Sequence, residues 1–586
     1  MCGFTAFFSF TNIDNVIVER LLRCNNEMFY RGPDEQDLWN DDKVALAHVR
    51  LSIIGLNNGH QPLFNESKSL VLICNGEIYN YKSLKRDLEF KGHVFSSLSD
   101  CEVILHMYEE YGEELNSMLD GMFAYCLYDI KNQKLVVGRD SAGMKPIYYS
   151  VLQDGLVFSS ELKVIKTYFQ SENTLNFENL RQVQKYTYSI SARDTYIESI
   201  KKIPSGSFAT INRNTGLNIE KFHKRNFNST FDGDYQDACK EVKRLLFSAV
   251  EKRLMSEVPV GVLLSAGVDS SAIVGITRQF RENVSVISAG YKGNFRVDER
   301  REAKRFSDDM GLLWNDIELD SNEFNNSLYD IFNHLDEPNG DVAMFAQWAI
   351  YQKASKMGFK VLLSGNGSDE LFYGYKQHNY YAEGMNWIEN NYLNDITIGK
   401  KAIFKEKLGQ MLKVFDNSKN RYLKKSKRNS QFPVYAELTK LAFNQELPLE
   451  RTDWERIEVE YYIDKIYFFL HYAWLTNNCY FLADKLAMAH SIEVRSPFAD
   501  KELIRFVDTL PVEFKFPDCQ PKKLLKDSLK TILPDYVLNR YKTGFEPPYS
   551  FVKRITDDYN PLYFKEKPTT FAQLVTDYFA SSLSIQ

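Results

Sequence analysis

A cysteine directly behind the initiator methionine, in Met1-Cys2-Gly3, would carry both a thiol and a free α-amine once Met1 is removed. The thiolate is the reactive form, and an amine with a pKa of about 8 can take the thiol proton near neutral pH, so such a residue carries its own base. A second-position cysteine by itself is most often an accident of sequence. Three downstream segments change its weight: HVRLSI from His48, NGEIYN from Asn75 and LLSAGVDSS from Leu263. The last has a counterpart in VLLSGNGSDELF from Val361. Both begin as apolar strands and run into glycine-rich loops.

The elements that must position these residues differ along the chain. VALAHVRLSI, LVLICNGEIYN, MFAYCLYDI, KLVVGRD and GLVFSS are β-branched or aromatic runs punctuated by Gly, Asn and Asp, which predicts strands. Helical spacing at Ile17, Leu21 and Leu22, and at Val103, Leu105, His106 and Tyr108, makes this first domain α+β rather than all-β. Polar, turn-rich residues 221–234 mark a boundary. A helical face with Ala238, Val242, Leu245, Leu246, Ala249 and Val250 follows. From Val258, apolar strands alternate with helices (VPVGVLLS, a helix from Ser270, VSVISAGY, a helix around Ala303, VLLSG), which predicts a parallel sheet with ligands at the carboxyl ends of its strands. The domains are expected at 2–220 and 235–586.

Composition narrows the function classes. The 586 residues are 44% hydrophobic, enough for several cores, and the net charge of -6 gives no reason to expect nucleic-acid binding. Eight cysteines are scattered with no CxxC pair, so the cysteines suggest neither a zinc site nor a disulfide framework, and a reducing cytoplasm is the expected compartment. The opening CGFTAFFSF lacks a basic leader, and YFFLHYAWL from Tyr467 is too short to span a bilayer, so no membrane association is expected. The basic run KNRYLKKSKR, 419–428, reads as a solvated loop.

From Cys2 to Lys542-Thr543-Gly544-Phe545, these segments resemble, in order, the glutamine-dependent asparagine synthetase family. The resemblance implies an αββα N-terminal-nucleophile glutaminase domain followed by an α/β ATP pyrophosphatase domain. It implies Cys2 as nucleophile, with the Asn75 side chain and Gly76 N–H as oxyanion donors; Asn-Gly reads as a tight turn that exposes an amide. Arg50 would clamp the glutamine α-carboxylate, where a planar guanidinium suits bidentate pairing, and Glu77 and Asp100 would accept from the substrate amine. Arg31-Gly32-Pro33-Asp34, Gly138-Arg139-Asp140, Asp336-Glu337-Pro338, Asp484 and Ser491–Phe498 fall on further family landmarks.

In the second domain the resemblance makes LLSAGVDSS a pyrophosphate loop. Behind Leu264, the small residues Ser265, Gly267, Ser270 and Ser271 would let backbone N–H groups approach a phosphate, aided by a helix N-terminus. Asp269 is an acid at a phosphate site, which makes sense with Mg²⁺ bound there, and Asp369 matches the second magnesium carboxylate. Ser364 and Gly365 keep the partner loop close to ATP, and Lys542 matches a lysine that stabilises developing charge. Two departures stand out: Ala266 replaces a usual glycine, and Asn366 replaces the glutamate common in members that use aspartate. An amide cannot take a proton. The expected reaction is adenylation of a carboxylate by ATP, with pyrophosphate released, followed by displacement of AMP by ammonia that reaches it through an internal channel. Aspartate is the default acceptor; the alternatives are another carboxylate, such as a uronic acid in surface polysaccharide synthesis, or a non-catalytic nucleotide-binding regulator. A homodimer is compatible with this reading.

Overall fold

The computed structural model describes residues 2–169, 173–213, 216–223, 225, 230–293, 295, 298–375, 467, 470–540, 547–564 and 567–584. Residues 419–428 and Lys542–Phe545 lie outside these, as do two residues of the YFFLHYAWL run. Among the described residues no helix is long and apolar enough to cross a membrane.

The N-terminal part is a four-layer αββα structure. Its first sheet has the spatial order Lys201–Lys202, Tyr148–Val151, Gly155–Ser159, Cys2–Ser9, Val44–Arg50, Glu35–Asn40. Its second runs Gly216–Lys221, Ser207–Asn212, Lys134–Arg139, Gly121–Asp129, Leu70–Ile78, Leu63–Phe64. Pairing is antiparallel throughout both. Phe4, Ala6, Phe8, Val44 and Leu46 of the first sheet pack on Val71, Ile73, Ala124, Cys126 and Val137 of the second, so alternate residues of each strand form the layer between the sheets. The opposite alternation, Phe7, Ala45, Ala47 and Val49, meets Ile17, Leu21 and Cys24 of the Asn15–Glu27 helix. On the far side Leu72 and Cys74 meet Leu88, Val103, Ile104 and Met107. Both faces of both sheets are thus covered, which is why these strands read as continuous apolar runs.

The Tyr235–Arg253 helix opens the second part and buries all six residues of its predicted face. Beyond it lies a five-stranded parallel sheet in the order Leu313–Leu319, Ser285–Tyr291, Val260–Leu263, Val361–Leu363, Glu493–Arg495. Two of these strands were not anticipated. Leu313–Leu319 is a polar edge strand with exposed residues on both faces, and Glu493–Arg495 has only three residues and is ionic at both ends. Neither carries an apolar run. The register Val260↔Val361, Gly261↔Leu362 and Val262↔Leu363 makes two adjacent strands end at the same level, so their glycine-rich loops lie side by side.

Candidate functional site

Cys2 opens the central strand of the first sheet, directly opposite Arg50 in the antiparallel register. Its thiol is buried, and burial pushes it up, partly opposed by a hydrogen bond from Leu51 and the charge of Arg50. A thiol in that state is protonated at neutral pH and needs a base before it can attack. The Cys2 backbone nitrogen donates to Asn75 Oδ1 at 3.1 Å, and its carbonyl accepts from Arg31 Nε at 3.1 Å, so the residue is held from both sides. Asn75 Nδ2, fully buried, has no hydrogen-bond partner among the described residues. An amide fixed through its oxygen with its N–H₂ unpaired can donate to an oxyanion formed at Cys2.

Asn75-Gly76 is not a turn. The pair lies inside the Leu70–Ile78 strand, opposite Ala124 and Phe123. Glycine is required there by close approach: a Cβ at Gly76 would fall 2.1 Å from the Met122 carbonyl oxygen. Glu77 and Asp100 meet behind it. Burial raises Glu77 well above the usual carboxylate range, with the Asp100 charge adding to the effect and Arg495 opposing it. Asp100, which accepts from Ile78 N at 2.6 Å, is pushed up by burial to about 6. Two buried carboxyls that share a single nearby cation, Arg495, form an acidic pair suited to an ammonium. Arg50 spends its guanidinium on Glu35 Oε1 at 2.8 Å and on the Ile54 and Gly55 carbonyls at 3.2 and 2.8 Å.

The two glycine-rich loops come together at the carboxyl edge of the parallel sheet. The helix there spans Val268–Phe280 with Gly267 as its N-cap, two residues before the predicted start, so Asp269, Ser270 and Ser271 all sit in its first turn. The Ser270 hydroxyl ties the loop to itself, bonding the Ser265 carbonyl at 2.9 Å and Ser265 N at 3.0 Å, so it shapes the cradle rather than standing free in it. The Ser271 hydroxyl is buried without a partner. Gly365 packs on Asp269, where a Cβ would lie 3.0 Å from the Asp269 Cβ. Gly367 has φ +92° and begins the short helix that carries Asp369.

A lysine that the sequence reading passed over joins the acids. Lys522 Nζ lies 2.6 and 2.5 Å from the two carboxylate oxygens of Asp269 and 2.7 Å from Asp369 Oδ1. It is buried, and those carboxylates raise its pKa against the opposing effect of burial. Nothing in QPKKLLK separates it from a surface lysine except the short Lys523–Ser528 helix behind it, which buries Leu524 and Leu525 and presses the preceding residue inward. Asn366 belongs to the second of these loops, between Gly365 and Gly367. Its backbone N–H donates to Ser364 Oγ at 3.3 Å, and its carbonyl accepts from Ser496 Oγ.

The remaining landmarks weld the two halves into one body. Arg31 pairs with Glu161 at 2.5 Å and with Asp484 at 2.8 Å; Lys485 pairs with Glu161 at 3.0 Å and with Asp336 at 2.6 Å; Lys202 pairs with Glu337 at 3.2 Å. Burial and the neighbouring Glu161 push Asp336 up to about 7. Asp140 accepts from the backbones of Phe123, Ala142, Met144 and Lys145, which folds the turn facing the second domain. Arg495 ends the strand beside Val361–Leu363; its carbonyl accepts from Ser364 N at 2.9 Å and its guanidinium reaches Glu77 Oε1 at 3.2 Å, so one residue touches both sites' surroundings. A small cavity lies along this seam, lined by Met144, Lys145, Asn366, Tyr480, Asp484 and Ser496 among others.

Comparison with known proteins matches these two halves to two family models, a glutamine amidotransferase domain over residues 1–223 and asparagine synthase over residues 241–565. The chain is 32% identical over 575 residues to asparagine synthetase [glutamine-hydrolyzing] 1 of Bacillus subtilis (strain 168), covering 94% of this chain and 87% of that one. It is 28% identical to asparagine synthetase [glutamine-hydrolyzing] 3 of the same organism, covering 93% and 87%. A solved glutamine phosphoribosylpyrophosphate amidotransferase from B. subtilis aligns at 16% identity over 54% of this chain and 65% of that one, with a TM-score of 0.29.

Proposed function

The chain belongs to the glutamine-hydrolysing asparagine synthetase family, and on that premise we propose that it transfers the amide nitrogen of glutamine to a carboxylate activated by ATP. The observation that carries this reading is the pairing of two chemically distinct sites in one body, the Cys2–Asn75 pair and the Asp269–Lys522–Asp369 cluster, joined through Arg495.

In the first half-reaction Cys2 is the nucleophile. Loss of Met1 turns the nitrogen now bonded to Asn75 Oδ1 into the α-amine, which takes the thiol proton that burial otherwise holds in place. Asn75 Nδ2 and the Gly76 N–H stabilise the oxyanion of the tetrahedral intermediate. Arg50 receives the glutamine α-carboxylate, which competes with the carbonyls now on its guanidinium, and Glu77 and Asp100 receive the α-ammonium. Ammonia leaves along the seam towards Asn366, a route supported by the cavity that touches both the Met144-Lys145 turn and the Asn366 loop.

In the second half-reaction the loop from Leu264 to Ser271 takes the phosphates of ATP at the helix N-terminus, with Ser364 and Gly365 closing from the partner loop. Asp269 and Asp369 already converge on one cation-sized position, the Lys522 ammonium, so the donor set fits Mg²⁺, which when bound would neutralise phosphate charge. Lys522 faces the charge that develops as the acceptor carboxylate attacks the α-phosphorus and pyrophosphate departs. Lys542, outside the described residues, remains a second candidate for the same task. Ammonia then displaces AMP.

Aspartate is the default acceptor. A second reading, a hydroxyl-rich carboxylate such as a uronic acid, is favoured by Asn366, which lines the cavity with an amide where a proton-accepting carboxylate is expected. A cytoplasmic location accompanies the proposal. The test is Cys2→Ala: glutamate release should vanish while ammonium salts still support ATP-dependent amide formation. Unchanged glutamate release by that variant would refute the assignment of the nucleophile.

A further inference from the structure

Four side chains that neither half-reaction uses converge at the edge of the first domain. Glu66 lies in the turn before the Leu70–Ile78 strand, His93 follows the Tyr81–Phe90 helix, and His106 and Glu109 stand three apart on the Val103–Tyr111 helix. Each offers one donor atom, and the four atoms lie within 4.8 Å of one another. Three of the six separations are closer: His106 Nδ1 is 3.2 Å from Glu109 Oε2 and 3.6 Å from Glu66 Oε2, and His93 Nδ1 is 3.5 Å from Glu109 Oε2. Ligands about 2.0–2.1 Å from a tetrahedral zinc ion stand about 3.3 Å apart, so these three pairs are already near that spacing and no pair exceeds it by more than about 1.5 Å.

Each ligand is also held from behind. Glu66 Oε1 accepts from Val94 N at 2.7 Å, which leaves Oε2 facing the cluster. Glu109 Oε1 accepts from Asn65 Nδ2 at 2.8 Å, again leaving Oε2 inward. The far nitrogen of His93 pairs with Glu110 Oε1 at 3.1 Å. The far nitrogen of His106, fully buried and without a hydrogen bond, faces Glu102 Oε1 at 3.7 Å, and Glu102 is fixed by the backbone N–H and hydroxyl groups of Ser96 and Ser97. A carboxylate on the far nitrogen places the proton there and turns the lone pair of Nδ1 to the centre. Two inward lone pairs among two carboxylate oxygens repel one another unless a cation lies between them. Either two protons or one divalent metal can fill that role.

We propose that Glu66, His93, His106 and Glu109 form a binding site for a divalent transition metal, zinc by the donor set. Two imidazoles exclude a preference for Mg²⁺ or Ca²⁺, and the partly exposed Glu66 and Glu109 give an entry path from solvent. The metal clips the Glu66 turn and the His93 loop to the helix that follows Asp100-Cys101-Glu102. Its role is structural.

The test uses the full-length protein stripped with chelator, titrated with Zn²⁺ against a chromogenic competitor in the presence of millimolar Mg²⁺. Wild type should take up one equivalent that Mg²⁺ does not displace, and bound Co²⁺ should give the visible absorption of a four-coordinate ion. His93→Ala and Glu109→Gln, both at partly exposed positions, should each weaken Zn²⁺ uptake by at least 100-fold while glutamate release stays at the wild-type rate, which shows that the domain is folded. Zn²⁺ uptake equal in wild type and both variants would assign the metal to cysteines or to the nucleotide loops and overturn the proposal. So would the absence of uptake by wild type.

Discussion

Replacing Asn75 by alanine removes two interactions at once, and their magnitudes can be separated. The Asn75 Oδ1 bond to the Cys2 nitrogen, 3.1 Å long and buried, orients the nucleophile and its amine; a bond of this kind contributes about 1 kcal/mol, or roughly fivefold in rate. The orphaned Nδ2 is the larger contribution. Loss of one preorganised oxyanion donor typically costs about 10² to 10³ in kcat. Together they predict a fall of about 10³ in kcat for glutamate release, close to 4 kcal/mol of transition-state stabilisation. KM for glutamine should change little, because the proposed mechanism assigns the charged end of the substrate to Arg50, Glu77 and Asp100 instead. Asn75→Asp separates the two effects: it keeps an acceptor for Cys2 but removes the donor, and should lose most of the same activity. The assay is steady-state glutamate release at saturating glutamine, with ammonium-supported AMP formation as the control for an intact second domain. A kcat within fivefold of wild type, or a defect confined to KM, would refute the oxyanion reasoning.

Protonation of Asp100, whose carboxyl burial has pushed up to about 6, removes an acceptor for the glutamine α-ammonium, so kcat/KM for glutamine, which falls about tenfold per unit below the α-amine pKa of about 8, should steepen to about a hundredfold per unit below pH 6. A slope that stays at about tenfold per unit down to about pH 5 would contradict this. Lys522→Met leaves Asp269 and Asp369 intact but removes the cation between them; it should reduce pyrophosphate release by about 10² to 10³ and spare glutamate release, as measured by parallel pyrophosphate and glutamate assays. Asn366→Glu places a proton acceptor beside the seam cavity and should raise aspartate-dependent turnover relative to sugar acids by up to about 10², read by mass analysis of the amide product.

Much of this architecture was legible because the chemistry-bearing residues sit where strands end. LLSAGVDSS and VLLSGNGSDELF announce themselves as apolar runs breaking into small residues, and the register of Val260–Leu263 beside Val361–Leu363 brings those loops into contact. Cys2, Asn75 and the strand that carries Asn75 are likewise visible, but Asn-Gly reads as a turn where it continues the strand, because the constraint on Gly76 is the Met122 carbonyl pressed against it rather than local backbone freedom. Less legible were residues whose role arises only from tertiary contact. Lys522 has the sequence context of any surface lysine, Arg495 sits in a three-residue strand without an apolar pattern, and Glu66, His93, His106 and Glu109 are scattered over 44 positions of chain with no ligand-like spacing except His106 and Glu109. In each case burial and long-range pairing, which periodicity cannot encode, supply the meaning.

The central claim is that one chain hydrolyses glutamine at Cys2 and spends its nitrogen at the Asp269–Asp369 site through pyrophosphate chemistry. The most direct measurement supplies glutamine labelled with ¹⁵N in its amide, together with ATP, Mg²⁺ and either aspartate or a nucleotide-linked uronic acid, and follows all products. The account predicts ¹⁵N in the new amide of one acceptor, with one glutamate, one AMP and one pyrophosphate formed for each amide. Formation of ADP and phosphate, or glutamate release with no labelled amide from any carboxylate, would contradict it.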